Sequence, residues 1–154
     1  MKSPILKNSG IINAEIEENV TIVRPVNIYG CKIGKDVFIG PFVEIQKEVT
    51  VGERTKIQSH SFICELVEIG KDCFIGHGVM FINDSFSSGG PAGRNKDLWK
   101  DTFVGDNVSI GSNSTILPVK ICNDVVIGAG SVVTKDIDSS GIYAGNPAKL
   151  IRKL

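Results

Sequence analysis

The chain has no apolar stretch approaching the ~18 residues that a membrane-spanning helix needs. It carries no excess charge of either sign: 17 acidic side chains balance 17 basic ones, which implies neither a nucleic-acid nor an anionic-membrane partner. Two histidines are too few for a three-histidine zinc site. The four cysteines, Cys31, Cys64, Cys73 and Cys122, fit no metal spacing and read as small apolar fillers. No metal is therefore expected. The first residues lack the basic segment and apolar core of a secretory leader. The expectation is a cytoplasmic protein without disulfides, and 154 residues read as one domain, 1–154.

What the chain does have is a beat of six. A large apolar residue recurs without a miss as Ile33, Ile39, Ile45, Val51, Ile57, Ile63, Ile69, Ile75 and Phe81. It resumes as Val104, Ile110 and Ile116 and, one residue short, as Ile121, Ile127 and Val133; Ile16, Ile22 and Ile28 precede it. Six fits neither a helix nor simple strand alternation, and it is the hexapeptide signature of a parallel β-helix. Glycine follows the beat by one position at Gly34, Gly40, Gly52, Gly70, Gly76, Gly105, Gly111 and Gly128, where it is expected to ease a corner. Small or β-branched residues follow by four, as at Val37, Thr55, Ser61 and Cys73. Three hexamers close a coil of 18 residues, so about six coils are expected, stacked ~4.8 Å apart.

The beat is lost over about 82–103, a stretch rich in Gly, Ser and Asn that holds the only Trp and reads as an excursion loop. The tail, 138–154, offers Pro147 at a first helical position and basic residues near its end, so a short C-terminal helix from about 147 is expected. It would cap one end of the solenoid.

Residues 18 apart should stack. The position two after the beat points outward, giving a column Pro41, Ser59, His77, continued across the loop by Ser112 and Ala129. On the next face the column reads Lys47, Glu65, Asn83. His60 falls one position later than the His77 column and reads as surface or subunit contact.

These repeats resemble the hexapeptide-repeat acyltransferases, whose solenoid is a left-handed parallel β-helix. The resemblance implies that hand, which spacing does not show, and also a homotrimer with sites at subunit boundaries. It further implies acetyl-CoA as cosubstrate, its pantetheine running along a column of small residues, here Gly111, Ser112, Gly128 and Ala129. The stretch Ile127-Gly-Ala-Gly-Ser-Val-Val133 matches the family's segment there, and Gly145-Asn-Pro-Ala-Lys149 matches its G-x-P-A-K element. Pro147 belongs to that element, and Lys135, Lys149 and Arg152 become candidate phosphate contacts.

The segment Gly76-His-Gly-Val-Met-Phe-Ile-Asn-Asp84 is similar to the N-acetyltransferases of nucleotide-linked 3-amino sugars for O-antigen, capsule or S-layer glycans. Gly89-Gly-Pro-Ala-Gly93 through Leu98-Trp-Lys100 resembles members acting on dTDP-3-amino-3,6-dideoxyhexoses. The resemblance implies Asn83, with Asp84, holding the amino group or its neighbouring hydroxyl, and Glu65 accepting an N–H. His77 is the plausible imidazole base, although the proton can also go to Glu65 or to water. Arg94 or Lys96 would contact the pyrophosphate and Trp99 would stack or pack against a neighbour. A UDP-linked acceptor, an O-acetyltransferase acting on a sugar or serine hydroxyl, and a non-catalytic trimer scaffold stay open as alternatives.

Overall fold

The computed structural model describes residues 8–93 and 95–154. Its strands are two to four residues long and stack into three parallel sheets, the faces of a prism. Face I stacks Ile11–Ile12, Asn27–Tyr29, Glu44–Ile45, Phe62–Ile63, Met80–Phe81, Thr115–Ile116 and Val132–Val133. Face II stacks Glu15–Ile16, Lys32–Ile33, Thr50–Val51, Val67–Ile69, Thr102–Val104 and Lys120–Ile121. Face III stacks Thr21–Ile22, Phe38–Ile39, Lys56–Ile57, Phe74–Ile75, Ser109–Ile110, Val125–Ile127, Gly141–Ala144 and Lys149–Arg152. The architecture is a left-handed parallel β-helix of about seven turns. Among the described residues no helix is long and apolar enough to cross a membrane.

The beat residues form the core. From Ile28 to Val133 each is at most 1 % exposed, and the pairings Ile33↔Val51, Ile39↔Ile57 and Ile45↔Ile63 put like on like. The second inward position carries hydroxyls that bond upward or along the coil. Thr55 Oγ1 donates to the Gly70 carbonyl at 2.9 Å and Ser61 Oγ to that of Gly76 at 2.9 Å. Burial of these polar groups is tolerated because each is paired. Cys31, Cys64 and Cys73 are buried fillers, while Cys122 is half-exposed. Burial pushes the Cys64 thiol up to about 12.

Three expectations change. Strand pairing starts earlier than the beat was counted, with Ile11↔Ile28, which adds a turn. The glycines do not supply the corner's unusual backbone. The left-handed residues lie two positions later, at Asp36, Phe42, Glu48, Arg54, His60, Leu66 and Asp72, with φ from 57 to 70°. The N–H groups of Asp36, Phe42, Glu48, Arg54, His60 and Asp72 bond the preceding coil, as His60 to Pro41 at 3.1 Å and Arg54 to Lys35 at 2.9 Å, which holds this strained conformation in place. Glycine is needed instead because coils approach closely: a Cβ on Gly52 would lie 2.5 Å from the carbonyl carbon of Gly70. Gly52→Ala should therefore cost about 1–3 kcal/mol through overpacking. A urea midpoint equal to the parent's would show that the coils can move apart freely.

The third change is the tail. No helix starts at 147; Gly141–Ala144 adds to face III beside Val125–Ile127, and Lys149–Arg152 folds back antiparallel on it, Ala144 opposite Lys149. Eight residues make at best a marginal helix, whereas the edge of face III offers Lys149–Arg152 backbone partners. The strand pair covers that edge, which is the capping role expected of the helix.

Candidate active site

Corner III/I, between Phe74–Ile75 and Met80–Phe81, carries His77. The stacking is confirmed by backbone bonds one coil apart: His60 N–H to Pro41 O at 3.1 Å, Gly78 N–H to Ser59 O at 3.0 Å, Asn113 N–H to His77 O at 2.8 Å, and Gly130 N–H to Ser112 O at 2.8 Å. Pro41, Ser59, His77, Ser112 and Ala129 thus form one column. Tyr143 pairs with Ile127, so Gly145 stands on the same column above Ala129 and the Gly145–Lys149 turn crowns it. From His77 to that turn is three coil spacings, about 14 Å. A narrow track of small side chains ends at an exposed imidazole.

The imidazole is held from below. Ser59 Oγ lies 2.8 Å from His77 Nδ1. In the tautomer in which Nδ1–H donates to Ser59, the Nε2 lone pair faces outward, free to take a proton. Ser59 was visible in the sequence only as a column member 18 residues before His77, with no role attached. Gly78 beside it has φ +65°, and a Cβ there would lie 2.5 Å from Asn113 Oδ1. Phe42 and His60 stack at 4.8 Å on the same corner, with Phe42 57 % exposed.

Corner I/II carries the second group. Asn83 Nδ2 donates to the Glu65 carbonyl at 3.2 Å, and the Asn83 carbonyl accepts from Lys100 N–H at 2.9 Å, closing the base of the excursion. Lys96 Nζ bonds both Glu65 oxygens, at 2.9 and 3.2 Å, while Lys47 Nζ approaches Oε2 at 3.4 Å. Lys96 Nζ also stands 4.6 Å from the centre of the Trp99 ring, a cation–π contact. Asp84 is used within the loop: one oxygen accepts from Phe86 N–H at 2.9 Å and the other from Ala92 N–H at 2.7 Å. Arg94 lies outside the described residues.

The two corners are not one site in a single chain. His77 and Asn83 stand at opposite ends of the Met80–Phe81 strand, six residues or roughly 20 Å of extended chain apart. Lys135 likewise stands on corner I/II, between Val133 and the Ile137 bridge to Ile121, and not with Ala129 and Lys149. Arg152 pairs with Ile142, three residues along the edge strand from Lys149. A groove of about 580 Å³ runs over face II between Glu15 and Glu53, away from both corners. Side-chain geometry marks the candidate site. Lys47, like Ser59, was left without a role at the sequence level, although its position 18 before Glu65 signalled the contact.

A three-faced solenoid with a long loop at one turn and a small-residue track leading to a histidine defines a protein of the hexapeptide-repeat class. Residues 30–65 match the bacterial transferase hexapeptide model, and residues 102–135 match the hexapeptide repeat of succinyl-transferase. These two matches align residues 30–65 and 102–135 with the hexapeptide-repeat transferases. It is 33% identical over 144 residues to the bifunctional protein GlmU of Clostridium botulinum, covering 90% of this chain and 28% of that one. The chain thus spans about a third of the length of the curated relatives it matches. Among solved structures it resembles a mutant of AntD, an N-acyltransferase from Bacillus cereus in complex with dTDP and coenzyme A. That match has TM-score 0.79 and 25% identity, and covers 94% of this chain and 84% of that one. A hexapeptide-repeat containing acetyltransferase from Vibrio cholerae, complexed with acetyl coenzyme A, matches with TM-score 0.65 and 26% identity over 79% of this chain and 69% of that one.

Proposed function

We propose that this chain is an N-acetyltransferase moving acetyl from acetyl-CoA to the 3-amino group of a dTDP-3-amino-3,6-dideoxyhexose, in surface-glycan sugar synthesis. The observation that carries the reading is the column in which His77, Ser112, Ala129 and Gly145 stack without a bulky side chain between the imidazole and the basic turn. Pantetheine is a thin chain of that shape. The dTDP and coenzyme A in AntD and the acetyl coenzyme A in the Vibrio cholerae protein support the same pair of ligands.

In this reading pantetheine lies over Gly111, Ser112, Gly128 and Ala129, and Pro147 and Lys149 meet the nucleotide end. The acceptor amine attacks the thioester carbonyl carbon, and its N–H proton passes to His77 Nε2. The tetrahedral intermediate collapses, the C–S bond breaks, and the imidazolium returns the proton to the coenzyme A thiolate. Position does much of the work, since the amine is already a competent nucleophile once neutral.

A homotrimer completes the site. The outward residues of face III include Phe38, Phe74 and Val126, and those of face I include Phe62, Met80 and Val132; Phe74 is 42 % and Met80 39 % exposed. Face II turns out Lys32, Glu68 and Lys120, with Phe103 its exposed aromatic residue. Corner III/I lies between the two apolar faces, where a neighbour's Asn83 corner can be brought to His77. Lys135 would then contact coenzyme A held mainly by the adjacent chain.

Thiol release from acetyl-CoA tests the reading, with dTDP- and UDP-linked 3-amino sugars run beside serine and simple galactosides. Turnover confined to the dTDP-3-amino sugar is expected. Turnover with hydroxyl acceptors alone would overturn N-acetylation, and silence across the panel would favour a scaffold. Asn83→Ala should lower kcat/KM for the sugar about 10–100-fold, the cost of one hydrogen bond to a reacting or charged group. Acetyl-CoA binding by calorimetry should be unchanged; its loss would mean that Asn83 belongs to the cofactor's side.

A further inference from the structure

We propose that Glu65 is a positioning residue that latches the excursion loop to the solenoid through Lys96, and not the group that takes the amine's proton. Glu65 is one of the few buried charged or polar residues, 8 % exposed, and sits on the rigid corner I/II. Its backbone carbonyl holds the Asn83 amide. Both carboxylate oxygens accept from Lys96, which lies 31 residues on in the short 3₁₀ turn Lys96–Leu98. Lys47, one coil below, closes on Oε2. The carboxylate is thus already engaged by two ammonium groups, Lys96 on both oxygens and Lys47 on Oε2.

The bond carries more than its own pair. Trp99 follows the 3₁₀ turn, its N–H donates to the Lys96 carbonyl at 3.0 Å, and its ring lies against Lys96 Nζ. Lys100 N–H bonds the Asn83 carbonyl one residue later. Anchoring Lys96 therefore sets Trp99, Lys100 and the Asn83 carboxamide together. Only the Glu65 side of the pair is buried, and Lys96 is half-exposed, so the pair acts as a tether: removing either partner frees the loop end from the corner. Lys47 keeps part of the charge balance when Lys96 is lost, which is why the corner itself should stay folded. The latch is independent of the acetyl-transfer reading; its effect on acceptor binding rests on that reading.

The experiment compares Glu65→Gln, Lys96→Gln and the double substitution in the full chain. Trp99 is the only tryptophan, so its emission reports the loop directly. Each variant should red-shift that emission and speed hydrogen exchange in the 84–101 peptide about tenfold, with the double no worse than either single, because one bond is lost in all three. The KM for the acceptor should rise about tenfold, with the KM for acetyl-CoA and the acid limb of the pH–rate profile unchanged. Unshifted emission with unchanged exchange would overturn the latch. So would loss of kcat together with the acid limb in Glu65→Gln, which would make Glu65 the base. If the parent chain turns over no acceptor, the acetyl-transfer reading falls while emission and exchange still decide the latch.

Discussion

His77→Ala lowers kcat by about 10²–10⁴ and leaves the denaturation midpoint near the parent's. The side chain is exposed and its partner is Ser59 Oγ, so its loss opens no cavity and strands no buried group. Acetyl-CoA should still bind, because the track over Ser112 and Ala129 uses backbone and small side chains. Ser59→Ala should give a smaller fall, since it loosens the ring without removing it. The position of His77 and Asn83 on different corners makes a sharper form of the same prediction. Each single alanine variant keeps at most about a tenth of the parent activity, but equal amounts unfolded and reassembled together regain activity at roughly a quarter of their sites, those where an intact His77 meets an intact Asn83. No recovery on mixing would place both residues' work within one chain. Near-normal turnover of His77→Ala would leave deprotonation to solvent as the better account.

Phe81→Ala should cost about 3–5 kcal/mol of stability. Phe81 is the one aromatic residue on the beat, 0 % exposed, stacked over Ile63 and beneath Ile116 on face I. Its neighbours are themselves fixed by strand pairing on both sides and cannot collapse into the space a ring leaves. The effect should reach function as well, because Phe81 lies between His77 and Asn83 in the chain and holds the strand that spaces them. Urea denaturation at fixed protein concentration measures it, fixed because assembly contributes to the midpoint. A change below about 1 kcal/mol would mean that the prism is not close-packed at this turn. Phe81→Leu should recover most of the loss, since it refills much of the volume.

The legible part of this protein was the part that repeats. Ile33, Val51 and Ile69 needed no knowledge of the rest of the chain to be placed on one face, because a coil of 18 residues brings each above the last. For the same reason His77 could be set in line with Ser112 and Ala129, and Glu65 beneath Asn83, from spacing alone. The glycines were located correctly and explained wrongly. Gly52 is required by the backbone of the next coil, at Gly70, and a contact between coils leaves no mark on local sequence. The φ near +60° of Phe42 and Arg54 was equally hidden, since neither residue type favours it and the bond to the preceding coil secures it.

The tail and the loop show where local reading stops. Pro147 and the basic residues after it carry the marks of a helix start and end, yet the sheet edge beside them takes Lys149–Arg152 as an antiparallel strand. Whether Lys96 is a free cation or a latch turns on Glu65, 31 residues away and on a different turn. By itself the sequence determined the prism, its inward residues and its outward columns, because a period of six is a local property repeated many times. Tertiary structure alone decided the strand pair at the end and the hold of Glu65 on the loop. Each of these depends on which backbone edge or buried charge meets the segment in space, and a single passage through the sequence carries no record of that.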